Sequence, residues 1–183
     1  MISSGDALKS LALEAALSPQ EEKLEIGNKK QKLFIGIPKE TEFQEQRVAL
    51  VPQSVGLLIA NGHRVLVETG AGLNANFNDN DYSEIGAEIA YDTSEIYKAD
   101  IILKVTPPNE HEINMMRHKQ TLFSALQLTV QPKSALKKLM DKKITAIAWD
   151  YIEDEGGSFP VIRSMGEIAG TTAVLIAAEL MSN

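Results

Sequence analysis

"DIILKVTPP", residues Asp100–Pro108, places three β-leaning apolar residues before a lysine and closes the run with two prolines. Proline cannot donate to a strand ladder, so the strand has to end close to Lys104. Taken alone, a lysine at a strand end is an ordinary solubilising residue. Its context is a repeated texture. Candidate strands at Leu33–Ile37, Arg64–Glu68, Ile101–Val105, Thr121–Ala125 and Ile144–Trp149 are separated by helical spacing at Gln53–Asn61, Asp81–Ile85 and Lys133–Lys142. Gly62 and Lys142-Lys143 suit helix C-terminal ends. Alternation of this kind predicts an α/β fold, a doubly wound parallel sheet of Rossmann-like or flavodoxin-like type with helices over it. Ligands of such sheets gather at the carboxyl ends of the strands, where Lys104 falls.

Residues 1–32 have a different character and read as an N-terminal helical extension. Asp6 is placed to cap a helix with Leu8, Leu11, Ala12, Ala15 and Ala16 on one stripe, and Ser18-Pro19-Gln20-Glu21 has the form of a capping box. Residues 33–163 then form the sheet domain. From Ser164 to Asn183 the chain has a second capping pattern, Ser164 with Glu167, followed by an almost wholly apolar run. A helix apolar all round needs cover on every side. Residues 164–183 are therefore expected to begin an interdomain helix leading to a further domain beyond Asn183.

The bulk numbers bound the function. With 183 residues there is enough chain for one well-buried domain. A formal charge of −7 argues against nucleic acid or an anionic membrane surface as partner, since both are bound by concentrated Lys and Arg. The absence of cysteine excludes disulfides and thiolate metal or nucleophile sites. No secretory signal follows Met1, and the run Thr171–Leu180 is about half the ~20 residues of a membrane span. These features predict a soluble, cytoplasmic protein without membrane insertion. His63, His111 and His118 fall in a turn and a polar segment and read as solvated residues, and no two have metal-ligand spacing.

"GAGLNA", Gly70–Ala75, fits the G-x-G-x-x-[GA] dinucleotide fingerprint after the strand "RVLVE". That motif needs a helix to open at its third small residue so that the amide dipoles face a pyrophosphate. Here "NFNDND" follows, a turn composition. The loop is read as a tight glycine turn shaping the mouth of the sheet.

A more specific pattern lies in "GIPKETEFQEQRVALVP", Gly36–Pro52. Taken with "GHRVLVETGAG", "IILKV" and "SMGEIAG", it resembles the N-terminal region of the alanine dehydrogenase and NAD(P) transhydrogenase alpha-subunit family, with the spacing of four blocks preserved. The resemblance implies a substrate-binding domain that works with an inserted Rossmann domain carrying NAD. It implies that Arg47 of the E-x-R-V-A block grips a substrate carboxylate and that Lys104 of the L-K-V block polarises the keto group. The residue types suit those roles: a guanidinium offers paired donors to a carboxylate, and an ammonium is a compact charge for a developing oxyanion. The alternative for Arg47 is a surface ion pair with Glu42 or Glu45, of ~0–1 kcal/mol. Glu40 either orients Arg47 or ends its strand in solvent. Met165 resembles a family methionine near the nicotinamide and equally suits a core gap.

Two departures stand out. Where alanine dehydrogenases of this pattern carry the histidine of L-H-L, this chain has Gln127, which hydrogen-bonds but does not exchange a proton near neutral pH. Gly166 stands where many relatives have a serine beside the cofactor. The resemblance implies an NAD-dependent oxidative deamination of L-alanine to pyruvate and ammonia, with Lys104 and Gln127 acting on the substrate and Met165 and Gly166 near the cofactor, in a homo-oligomer. The alternatives are the alpha subunit of a proton-translocating transhydrogenase, whose usual R-x-x-Q-x-x-D loop is replaced here by "EDEGGSFPVIRSMGEIAG", and a non-catalytic relative.

Overall fold

The computed structural model describes residues 32–182. The helical extension expected over residues 1–32 lies outside the described residues, apart from Lys32. Six strands follow: β1 Phe34–Ile37, β2 Arg64–Glu68, β3 Glu88–Ala90, β4 Ile101–Leu103, β5 Thr121–Ser124 and β6 Thr145–Ala148. Six helices connect and follow them: α1 Pro52–Ala60, α2 Asp79–Ser83, α3 Thr93–Ile96, α4 Glu110–Met115, α5 Lys133–Asp141 and α6 Pro160–Ser182. Every strand pairing is parallel, and the order across the sheet is β3-β2-β1-β4-β5-β6. This is the Rossmann-like order rather than the flavodoxin-like one. The chain winds outward from β1 to β3, returns to the other side of β1, and winds outward again to β6. The crevice between β1 and β4 is the switch point.

Alternation along the strands assigns the two faces. Val65 and Val67 of β2 pack with Ile35, Ile37, Val55 and Tyr82, whereas Leu66 between them packs with Ile96, Tyr97, Ile102, Ile113 and Leu122. Both faces of the sheet are thereby buried at its centre, while residues 145–147 of edge strand β6 stay exposed. Gly36 has a packing reason: a Cβ there would lie 2.6 Å from the Ile96 carbonyl oxygen and 3.0 Å from the Ala99 methyl.

The five strands expected from sequence form, each trimmed by up to two residues, while β3, α3 and α4 were not anticipated. The largest correction is at α6. It begins at Pro160, so Ser164 is not its cap: the Ser164 hydroxyl donates to the Pro160 carbonyl one turn back, and Glu167 accepts from Arg163 Nε at 3.1 Å. At 23 residues α6 is also longer than the apolar run that suggested half a membrane span. By length and composition it suffices to cross a membrane, which core helices also do. Val174, Leu175, Leu180 and Met181 on it are exposed.

Candidate functional site

The site begins where β1 and β4 leave the sheet. After Ile37 the chain runs through Pro38-Lys39 to Glu40, and after Leu103 it reaches Lys104, so the switch point brings Glu40 and Lys104 together. The Lys104 side chain is 1% exposed. Its Nζ donates to Glu40 Oε2 at 3.0 Å and to Glu112 Oε1 at 2.9 Å. Glu40 neither orients Arg47 by contact nor ends in solvent. It is buried and also accepts from Val105 N at 2.6 Å and Thr106 Oγ1 at 2.5 Å, holding the turn after β4. Glu112 comes from α4. Its second oxygen accepts from Asn109 N at 2.8 Å while the Asn109 side chain accepts from Glu112 N, a capping box that ties the helix start to the lysine.

Arg47 sits on the other side of the strand end. The turn Glu42–Glu45, with Gln44 in the left-handed region at φ 63°, brings Glu45 back under the arginine. Arg47 Nε donates to Glu45 Oε1 at 2.8 Å and Nη2 to Glu45 Oε2 at 2.6 Å, while Nη1 lies 3.6 Å from Met165 Sδ. The Arg47 side chain remains 51% exposed. The guanidinium beside Glu45 holds that carboxyl below its ordinary range, and the Glu45 hydrogen bonds raise Arg47 in turn. Downstream, Tyr82 on α2 fixes the same segment: its buried hydroxyl donates to the Leu50 carbonyl at 2.9 Å, and burial pushes the phenol up to about 12.

Arg47 lines a cavity of ≈330 Å³ whose other walls are almost wholly apolar, among them Leu103, Val105, Phe123, Trp149 and Met165. It lies over the carboxyl ends of β4, β5 and β6, as the fold predicts for a ligand. Lys104 is not among its lining residues. The expected convergence of guanidinium and ammonium in one cavity is therefore corrected: period-two alternation sends Leu103 and Val105 into the cavity and Lys104 to the opposite side, against α4. Glu40 lies near enough to both for its charge to act on Arg47.

The remaining candidates separate. Met165 is at the cavity wall, five residues into α6 rather than at its start. Gly166 follows on a side where an added Cβ would meet nothing within 4 Å. Gln127 is exposed in the left-handed region at φ 44°, with its backbone N–H donating to Asp150 Oδ2 at 3.3 Å, and it does not line the cavity. In the glycine loop, Asp79 takes the place a phosphate would need. Its carboxylate accepts from Gly70 N at 2.8 Å and from Thr69 Oγ1 at 2.6 Å, and Leu73–Ala75 is one 3-10 turn ended by left-handed Asn76. Sequence reasoning missed Glu112 and the depth of Glu40. The Asn109-x-x-Glu112 spacing after Pro107-Pro108 was the available signal.

Comparison with known proteins matches the family model described as alanine dehydrogenase/PNT, N-terminal domain, over residues 36–169. An alanine dehydrogenase of Bacillus subtilis is 42% identical over 149 residues, covering 81% of this chain and 39% of that protein. Among solved structures, an L-alanine dehydrogenase superposes with a TM-score of 0.75 at 37% identity, covering 78% of this chain and 39% of its own. A transhydrogenase from Sinorhizobium meliloti superposes with a TM-score of 0.58 at 31% identity, covering 63% of this chain and 33% of its own. The chain thus spans about two fifths of the length of the curated relatives it matches.

Proposed function

The chain belongs to the alanine dehydrogenase/PNT N-terminal domain family, and on that premise we propose that it is the substrate-binding part of an NAD-dependent alanine dehydrogenase. The observation that carries this reading is a guanidinium on the wall of an otherwise apolar cavity over the strand ends. A small amino acid or 2-oxo acid offers a carboxylate to match the guanidinium and an alkyl group to match the walls.

In the direction of oxidation, L-alanine loses a hydride from its α-carbon and a proton from its amine. Water adds to the resulting imine and ammonia leaves, giving pyruvate. NAD, when bound, supplies the acceptor for that hydride. Met165 on the cavity wall and Gly166, with open space beside it, are the positions of this chain suited to the nicotinamide end. Arg47 anchors the carboxylate and so fixes which face of the α-carbon is presented. Lys104 acts on the carbonyl or imine once its ammonium exchanges Glu40 for substrate. Glu40 would retain the Val105 amide and Thr106 hydroxyl as donors, so the exchange does not leave it bare. Gln127, exposed and outside the cavity, is left without a part in holding substrate on this geometry. The proton is exchanged elsewhere, because an amide does not titrate in this range.

A soluble, cytoplasmic homo-oligomer that takes L-alanine and pyruvate, with no nucleic-acid partner and no membrane insertion, completes the reading. The complete protein should form NADH from NAD and L-alanine at alkaline pH, followed by absorbance. Absence of turnover with alanine and other small amino acids rejects the assignment. The second reading, a transhydrogenase alpha subunit, is supported by the Sinorhizobium meliloti likeness, while Gln127 and Gly166 blunt the preference for the dehydrogenase. Hydride exchange between NADH and an NADP analogue, dependent on partner subunits, would select it.

A further inference from the structure

We infer that Glu45 is a positioning residue that presents the terminal edge of Arg47 to a substrate carboxylate, an inference that rests on Arg47 being the carboxylate anchor. A guanidinium carries five donor hydrogens, one on Nε and two on each Nη. Glu45 takes the lateral edge, through Nε at 2.8 Å and Nη2 at 2.6 Å. That leaves both hydrogens of Nη1 and one of Nη2, which form a second fork of the spacing a carboxylate accepts. Nη1 is meanwhile directed at Met165 Sδ, 3.6 Å away on the cavity wall. A thioether is a weak acceptor and yields readily to an anion.

Glu45 is built into the turn rather than resting on the surface. Its side chain is 10% exposed, against 51% for Arg47. Its Oε1 accepts from the Arg47 backbone N–H at 2.9 Å as well as from Nε, so one carboxylate grips both ends of the arginine. The backbone that allows this passes through left-handed Gln44, and the turn is closed by Glu45 N donating to the Glu42 carbonyl at 3.2 Å. A freely rotating arginine would have to be immobilised at each binding event. Here that ordering is done before substrate arrives.

The test uses the complete protein. Glu45→Gln should raise KM for pyruvate by roughly three- to tenfold, the cost of ordering one long side chain, with kcat at saturating pyruvate retained. Glu45→Asp, which keeps the charge on a shorter arm, should fall between the two, and it stands in if the glutamine variant does not fold by thermal melt. In a Glu45→Gln, Arg47→Lys double variant the two effects should not add, because both act through one guanidinium. An unchanged KM would make the pair a plain surface ion pair, and a lowered KM would make Glu45 a competitor of substrate. Either result overturns the inference. Calorimetric titration with pyruvate reads the same change without turnover. Absence of alanine oxidation in the wild type therefore counts against the assigned reaction alone, whereas unaltered pyruvate affinity in Glu45→Gln counts against the positioning role.

Discussion

Removing the Lys104 ammonium would leave Glu40 and Glu112 buried without their shared cation. Breaking a buried ion pair from one side costs about 3–5 kcal/mol, so Lys104→Ala should lower unfolding stability by that order in urea titrations, in addition to losing pyruvate affinity and turnover. Wild-type stability and kinetics together would make the buried Lys104 ion pairs dispensable and remove Lys104 from the site. Arg47→Lys replaces a fork with a point charge. It should raise KM for pyruvate by about ten- to a hundredfold, and an unchanged KM contradicts the anchor. The Glu45 carboxyl is held below its ordinary value of 4.5 by the Arg47 hydrogen bonds. A lowered folded value contributes stability above the unfolded one and loses it as pH falls through the folded one. The stability difference between wild type and Glu45→Gln, at most about 1 kcal/mol for so exposed a partner, should be present at pH 6 and vanish well below pH 4.5. The four-block resemblance singled out Arg47 and Lys104, because taken alone a lysine at a strand end and an arginine among polar residues read as ordinary solvated groups. Their separation was not legible. It depends on which side of the strand Lys104 points, and a two-proline stop does not reveal that.

At the scale of elements, β1 and α4 hold the site. Gly36→Ala in β1 would drive a methyl to 2.6 Å from the Ile96 carbonyl, a backbone atom with little room to retreat. A loss of about 1–3 kcal/mol follows, measurable as a lowered urea midpoint. Asn109→Ala removes the cap of α4 and should cost about 1 kcal/mol. A change confined to stability would show that α4 does not steer Lys104, whereas a raised KM for pyruvate would show that it does. The strands read from sequence stand out as apolar, β-leaning runs even where, as in β4, only three residues form the strand. β3, Glu88-Ile89-Ala90, holds a single β-branched residue, four-residue α3 is too short for any period, and α4 lies in the polar segment that carries His111 and His118. The misplaced start of α6 has a different cause. Ser164 and Glu167 have capping spacing, but proline at 160 already opens the helix and serine satisfies itself one turn back.

For the whole molecule, the order β3-β2-β1-β4-β5-β6 turns two distant loops into one site. The alternation of strands and helices was enough to foresee a parallel sheet, and the resemblance of four blocks was enough to foresee the family. Neither could show that the Lys104 ammonium is held by Glu40 and Glu112 and does not line the Arg47 cavity. Catalysis on this reading needs a ligand that draws together two cations now facing different sides of the β4 end. Crystallography of the complete protein with pyruvate tests this most directly. The expected complex has the carboxylate on the Nη1/Nη2 edge of Arg47, within about 3 Å, and the keto oxygen on the Lys104 ammonium. Pyruvate bound away from Arg47, or Lys104 still clamped by both glutamates with the ligand in place, would contradict it.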